Sequence, residues 1–237
     1  MKRISVCMAT YNGAEFVAEQ IDSILVQLGD NDELIISDDG SKDATVAIIN
    51  GIQDKRIRLV PSQRFGSVVK NFENALRHAE GEIIFLADQD DVWYEGKVDA
   101  VIARLETCDL VLTDCRVVAQ SGEVLHESFF RSRDSRPGFW RNLWKNAYQG
   151  CCMAFRRSVL TYALPFPKNI DYHDWWIGLL VELKGTPCFY DKPLLHYRRH
   201  GGNISPTGQA PQEKDWKNRL RNRFWLSWYI IGRSLQH

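Results

Sequence analysis

Three aspartates fall within four residues in Asp88-Gln89-Asp90-Asp91, directly after the apolar run at 83–86. Carboxylates this close repel one another unless a cation neutralises them, and a hard divalent ion is the usual partner. Mg2+ or Mn2+ suits such a cluster, because either ion keeps positions open for a diphosphate. The plainer alternative is an Asx turn and helix cap, for which one aspartate would suffice. A second acidic turn, Ser37-Asp38-Asp39-Gly40-Ser41, follows the run at 34–36. It offers either another cap or an acceptor for the imide N–H of a pyrimidine base. Thr10-Tyr11-Asn12-Gly13, after the run at 4–8, can add an aromatic edge to the same base.

Turns of this kind need strands to carry them. Apolar runs at 4–8, 34–36, 57–60, 83–86 and 110–113 alternate with helical periodicity near 16–28, 44–52, 68–79 and 97–106. That alternation predicts a parallel α/β sheet with the acidic turns at its carboxyl edge, where open sheets of this class bind ligands. From about 116 to 205 the pattern is irregular and includes the polar, Arg-rich loop 131–138; beyond Pro211 the chain is helical, basic and Trp-rich. The expected division is therefore 1–115, 116–205 and 206–237.

Composition narrows the classes. The 237 residues carry 30 Lys plus Arg against 30 Asp plus Glu and are 44% hydrophobic. Such a chain can bury a core without staples, and it has no overall field to collect nucleic acid. The six cysteines show no C-x-x-C pair and no zinc spacing, so they read as buried thiols in a reducing cytoplasm. The N-terminal apolar stretch is too short for a signal peptide, and no window approaches the roughly twenty apolar residues needed to cross a bilayer. The chain is expected to begin at its mature N-terminus and not to span a membrane.

Together, the stretch Val6 to Gly13, Ile36-Ser37-Asp38-Asp39-Gly40-Ser41, Asp88-Gln89-Asp90-Asp91 and Asp171-Tyr172-His173-Asp174-Trp175-Trp176 resemble the inverting family 2 glycosyltransferases of the GT-A fold. The Asp-Gln-Asp-Asp-x-Trp form, with His-Asp-Trp and Tyr-Arg-Arg-His-x-x-Asn downstream, resembles the bacterial rhamnosyltransferase-like branch that builds cell-surface polysaccharide. The resemblance implies a nucleotide-sugar-binding half at 1–115, an acceptor-binding half at 116–205, and transfer from dTDP-L-rhamnose or a UDP-hexose to a glycan hydroxyl. It implies that Asp39, with Thr10 and Tyr11, holds the base, that Asp88 contacts ribose or sugar, and that Asp90 binds the metal. Asp91 then supports the ion or the acceptor. Lys70 stands where similar enzymes place a basic residue near the nucleotide, with Arg64 as the competing choice.

Inverting transfer also needs a carboxylate to take the acceptor proton. The position matching the family is Asp174, with Asp171 as fallback and Trp175 and Trp176 as sugar-binding surfaces; the alternative is a helix cap above a core face. Arg198 and Arg199 can grip a pyrophosphate through bidentate bonds, and the glycines after them suit a lid. By resemblance His200 completes the metal shell, against an ordinary surface histidine. The tail from Pro211 sets Lys214, Lys217, Arg219, Arg221, Arg223 and Arg233 against Glu213 and Asp215, with aromatics between. It reads either as an interfacial helix on anionic lipid at the inner face of the membrane or as a helix folded onto the domain. A lipid-linked glycan acceptor, common in this class, favours the first. The competing functions are a nucleotidyltransferase, which would need a glycine-rich basic loop near Thr10, and a non-catalytic membrane adaptor.

Overall fold

The computed structural model describes residues 3–61, 63–201 and 216–234. Strands β1 (Ile4–Thr10), β2 (Glu33–Asp38), β3 (Ile57–Leu59) and β4 (Ile83–Asp88) run parallel in the order β3-β2-β1-β4. Their near-continuous apolar sequences follow from burial on both faces of the sheet. Helices α1 (Val17–Leu25), α2 (Thr45–Gly51) and α3 (Val68–Arg77) make the crossovers. On α3, Val69, Phe72, Ala75 and Leu76 face the sheet, and Ser67 caps the first turn by accepting from the Lys70 N–H. Register brings the acidic turns to one edge, since Thr10 pairs with Asp38 and Ala9 with Asp88.

The second half contains more regular structure than its sequence suggests. Strand β8 (Met153–Arg156) lies antiparallel between β4 and β6 (Leu110–Ala119), β9 (Pro187–Arg199) runs parallel to β6, and β5 (Val92–Trp93) closes the edge antiparallel to β9. The sheet is thus parallel through its first four strands and mixed beyond them. The expected strand at 110–113 extends to Ala119 through register shifts around Asp114. Opposite that point Tyr190 and Pro193 take successive partners, so Asp191 and Lys192 are bulged out and mask the strand in the sequence. A short strand, β7 (Val124–His126), pairs with β6.

Helix α4 (Lys97–Leu105) follows β5. The expected loop 131–138 is partly helical: α5 (Phe129–Arg133) takes its first residues, and Asp134, at φ 55°, turns the chain toward α6 (Phe139–Trp144). Helices α7 (Leu160–Ala163) and α8 (His173–Lys184) complete the domain before the terminal α9 (Trp216–Ser234). One face of α9 buries Leu226 and Ile230, while Arg233 donates to the carbonyls of Leu164 and Pro165, each at 2.7 Å. The other face exposes Phe224, Trp228 and Ile231. The packed face of α9 fits the alternative of a helix folded onto the domain; Asn203, Glu213, Lys214 and Asp215 lie outside the described residues. No described helix is long and apolar enough to cross a membrane.

All six cysteines are free, five buried and Cys188 half-buried. Charge is divided along the chain: residues 1–115 hold 11 Lys plus Arg against 21 Asp plus Glu, and residues 116–237 hold 19 against 9.

Candidate active site at the carboxyl edge of the sheet

The turns after β1 and β2 are cross-braced. Asp38 accepts from Thr10 Oγ1 at 2.8 Å and from the Ser41 N–H and hydroxyl at 2.8 and 2.6 Å. Thr10 is buried, so its hydroxyl braces this turn and does not face a nucleotide as expected. Tyr11 is 39% exposed and keeps its ring available. Its backbone N–H and carbonyl are both bonded by the Gln89 amide, at 2.9 and 3.0 Å. Gly13 makes room for that amide, because a Cβ there would lie 2.2 Å from Gln89 Oε1. Gln89 looks like a spacer among aspartates in the sequence; in the fold it is the splint joining the first and fourth strand ends.

Asp39 differs from the expectation in its partners. Its carboxylate accepts the backbone N–H groups of Phe65, Gly66 and Ser67, clasping the loop before α3. A carboxylate has about four lone-pair positions, so one remains for a base imide. Arg64 lies beside Gly40, while Lys70 projects from the first turn of α3 and is exposed.

The acidic cluster is compact and short of solvent. Burial, reinforced by the charges of Asp90 and Asp174, pushes the Asp88 carboxyl up to about 8. Asp91 is 1% exposed, and burial followed by Asp90 and Asp88 raises it well above the usual range. Its Oδ1 accepts the Arg198 N–H at 3.2 Å, an inward placement that suits the ion and not an acceptor sugar. Asp90 Oδ2 lies 2.7 Å from His200 Nε2, so the two expected metal ligands do converge; the His200 ring stacks on Phe16 at 4.8 Å. The tightest group of potential ligand atoms among the described residues is another set, Asp88, Asp91 and Cys151, all within 4.8 Å of one another. Asp91 Oδ2 is buried with no hydrogen-bond partner. An uncompensated carboxylate oxygen inside a triad of acids fits a divalent cation. Lys97, fully buried, donates to the Cys151 carbonyl at 3.1 Å and supplies one internal positive charge. The sequence signals Lys97 only as a helix start.

Asp174 sits in the first turn of α8, where the helix dipole favours its ionised form. It is not the cap residue: Tyr172 holds that position and makes no side-chain cap bond. Asp174 Oδ1 accepts from the Trp175 N–H at 2.7 Å, yet burial still raises the carboxyl to about 7. Trp176 is fully buried and donates to the Ala163 carbonyl at 2.9 Å, which corrects its expected role: it is a core residue with no face for a sugar. Trp175 is half-buried with its indole N–H on the Asn142 carbonyl, and Tyr172 is the aromatic left exposed beside it, together with Asp171. His173 is stacked on Phe72 at 4.1 Å, and burial holds its imidazole down at about 3. Arg198 pairs with Glu19 at 2.7 Å and lies over the Phe16 ring, and Arg199 lies against the Tyr197 hydroxyl.

The chain compares with known proteins as follows. The family model described as "Glycosyl transferase family 2" matches residues 5–162. A dTDP-rhamnosyl transferase, RfbG of Shigella flexneri, is 29% identical over 84% of this chain and 75% of its own length. The UDP-Glc:alpha-D-GlcNAc-diphosphoundecaprenol beta-1,3-glucosyltransferase WfgD of Escherichia coli is 26% identical over 96% of this chain and 92% of its own. In structure, the chain is similar to S. aureus TarS in complex with UDP-GlcNAc, with a TM-score of 0.70, 19% identity and 95% of this chain covered. It is also similar to the mannosyltransferase PcManGT of Pyrobaculum calidifontis in complex with GDP-Man and Mn2+, with a TM-score of 0.64, 21% identity and 100% covered. The chain spans 66% and 65% of those two solved chains. The fold is the GT-A fold, a curled mixed sheet flanked by helices.

Proposed function

We propose that this chain, which belongs to glycosyl transferase family 2, transfers a sugar from a pyrimidine nucleoside diphosphate to a hydroxyl of a lipid-linked glycan, inverting the anomeric carbon. The observation that carries the proposal is the turn Gly150–Cys152, which lies against Asp174 on α8 and presents Cys151 to Asp88 and Asp91 at the end of β4, so that a raised carboxyl and the acidic cluster share one site. Asp174 takes the acceptor proton as the hydroxyl oxygen bonds to the anomeric carbon, and the bond to the diphosphate breaks on the opposite face. Asp88 orients the donor sugar or ribose, Tyr11 and the free position on Asp39 receive the base, and Arg199 with Lys70 or Arg64 faces the phosphates. Asp90 and His200, with Asp91 behind them, would hold Mg2+ or Mn2+, which when bound offsets the charge of the departing diphosphate.

The name of RfbG supports a dTDP-rhamnose donor, which we take as dTDP-L-rhamnose, and that of WfgD supports a UDP-hexose as second choice and an acceptor on a lipid diphosphate; we assign the reaction to cell-surface polysaccharide synthesis. Residues 1–115 serve the nucleotide sugar, residues 116–205 the acceptor, and the tail the membrane surface. A peripheral position on the cytoplasmic side of the membrane follows from that assignment. Asp174→Asn tests the core of it. Donor binding measured by calorimetry should persist while release of nucleoside diphosphate in the presence of acceptor falls at least about a hundredfold; unchanged turnover would remove Asp174 as base.

A further inference from the structure

We propose that Asp88, Asp91 and Cys151 form a mixed oxygen and sulfur cation site distinct from the Asp90–His200 pair assigned to the reaction's Mg2+ or Mn2+, so that thiophilic divalent ions bind it in preference to Mg2+. The inference rests on reading the acidic cluster as a cation site and is independent of the transfer reaction.

A buried free cysteine ordinarily acts as a small apolar filler. Cys151 has different company. Its sulfur shares a space no wider than 4.8 Å with ligand oxygens of two carboxylates, both residues with their charge partly removed from water. Asp91 Oδ2 remains without a hydrogen bond although Asp91 is only 1% exposed. The Cys151 thiol acts on both aspartates as a hydrogen-bonding neighbour, yet Asp91 Oδ2 keeps no partner of its own. An orphaned anionic oxygen beside a sulfur is what a ligand set leaves when its cation is taken away.

The sulfur is also held in place from behind. Cys151 occupies a tight 3-10 turn, Gly150–Cys152, and Lys97 fixes its carbonyl from α4. The adjacent Cys152 turns its thiol toward Cys115, Thr113 and Cys151 itself, and Cys151 is the cysteine whose sulfur groups with the carboxylates. Preorganised donors of this kind set metal preference: thiolate selects Zn2+, Cd2+ and Co2+, while Mg2+ prefers oxygen and water. Binding a thiophilic ion forms a metal–sulfur bond and breaks the S–H bond, releasing the proton to solvent.

The full chain should be titrated with Co2+ and Cd2+ while ultraviolet absorption is followed. A sulfur-to-metal charge-transfer band is expected in the native protein and in Cys152→Ser, and should vanish in Cys151→Ser. A native protein that binds Co2+ without such a band, or a band that survives Cys151→Ser, would overturn the proposal. Should Cys151→Ser misfold, proton release decides the matter in unmodified protein: Zn2+ should displace about one proton more than Mg2+ in weak buffer at pH 7. Equal release counts against sulfur ligation. Donor turnover with Mn2+ reports on the transferase reading separately, so the two can fail independently.

Discussion

Asp174, the proposed base, can take a proton only when ionised, and its burial places that ionisation at about 7. The protonated, inactive form grows as pH falls through that value, so kcat should drop about tenfold per unit well below pH 7 and level off above about pH 8. A rate that stays flat from pH 5 to 8 at saturating donor and acceptor would contradict the assignment. A neighbouring prediction concerns Gly13. Adding a Cβ there drives Gln89 from its paired bonds with Tyr11, so Gly13→Ala should lower stability by about 1–3 kcal/mol in urea denaturation. The site was legible at this scale where chemistry sets residue type: crowded aspartates announced the β4 turn, and Asp174 stood out among aromatics. It was illegible where an oxygen's availability depends on distant donors. Nothing near Thr10 or Asp39 in the sequence tells that Asp38 consumes one and that residues 65–67 occupy the other. Burial likewise decided Trp176, because its neighbours Asp174 and Trp175 look equally suited to solvent or core.

Helices α6 and α8 lie in the half proposed to receive the acceptor, and one side chain ties them. Glu182 accepts from the Gly138 N–H at 2.9 and 3.0 Å, from Asn142 Nδ2 at 2.8 Å and from the Tyr148 hydroxyl at 2.9 Å. Gly178 lets the Tyr148 ring rest on α8, since a Cβ there would approach it to 2.4 Å. Glu182→Ala leaves three donors without their acceptor and should cost about 3 kcal/mol of stability, whereas Glu182→Gln, which keeps one acceptor oxygen, should cost less. Parallel strands β1 to β4 do not contact Glu182 through these bonds, so nucleotide binding to the folded variant should be unchanged; a loss of nucleotide affinity equal to the loss in stability would show the two halves to be coupled. Strands β1 to β4 were readable because double-sided burial writes an unbroken apolar string. Strand β9 was readable only in part: the sequence leads to a strand just before His196, but Asp191, Lys192 and Pro193 interrupt it and only pairing with β6 defines its full length.

At the level of the whole molecule, aromatic surface and positive charge lie together. Trp140 and Trp144 on α6 are 79% and 66% exposed, and Phe224 and Trp228 on α9 are each 63% exposed. Arg223 links the helices by donating to the Trp144 carbonyl at 3.1 Å, and no acidic residue occurs from 216 to 234. The chain should sediment with vesicles containing phosphatidylglycerol and much less with phosphatidylcholine alone. Replacing Phe224 and Trp228 together by serine should weaken that partitioning by about tenfold or more, and equal partitioning of native and variant protein would remove α9 as the contact. The division of acidic and basic residues between the two halves of one continuous sheet has a further effect. It gives the folded protein a permanent electric moment although its net charge is zero. Beside a negatively charged leaflet that moment experiences a torque before any side chain touches lipid, turning the cationic end inward and the acidic end toward the aqueous side. Approach is therefore orientationally biased, over a reach of about 8 Å at physiological salt.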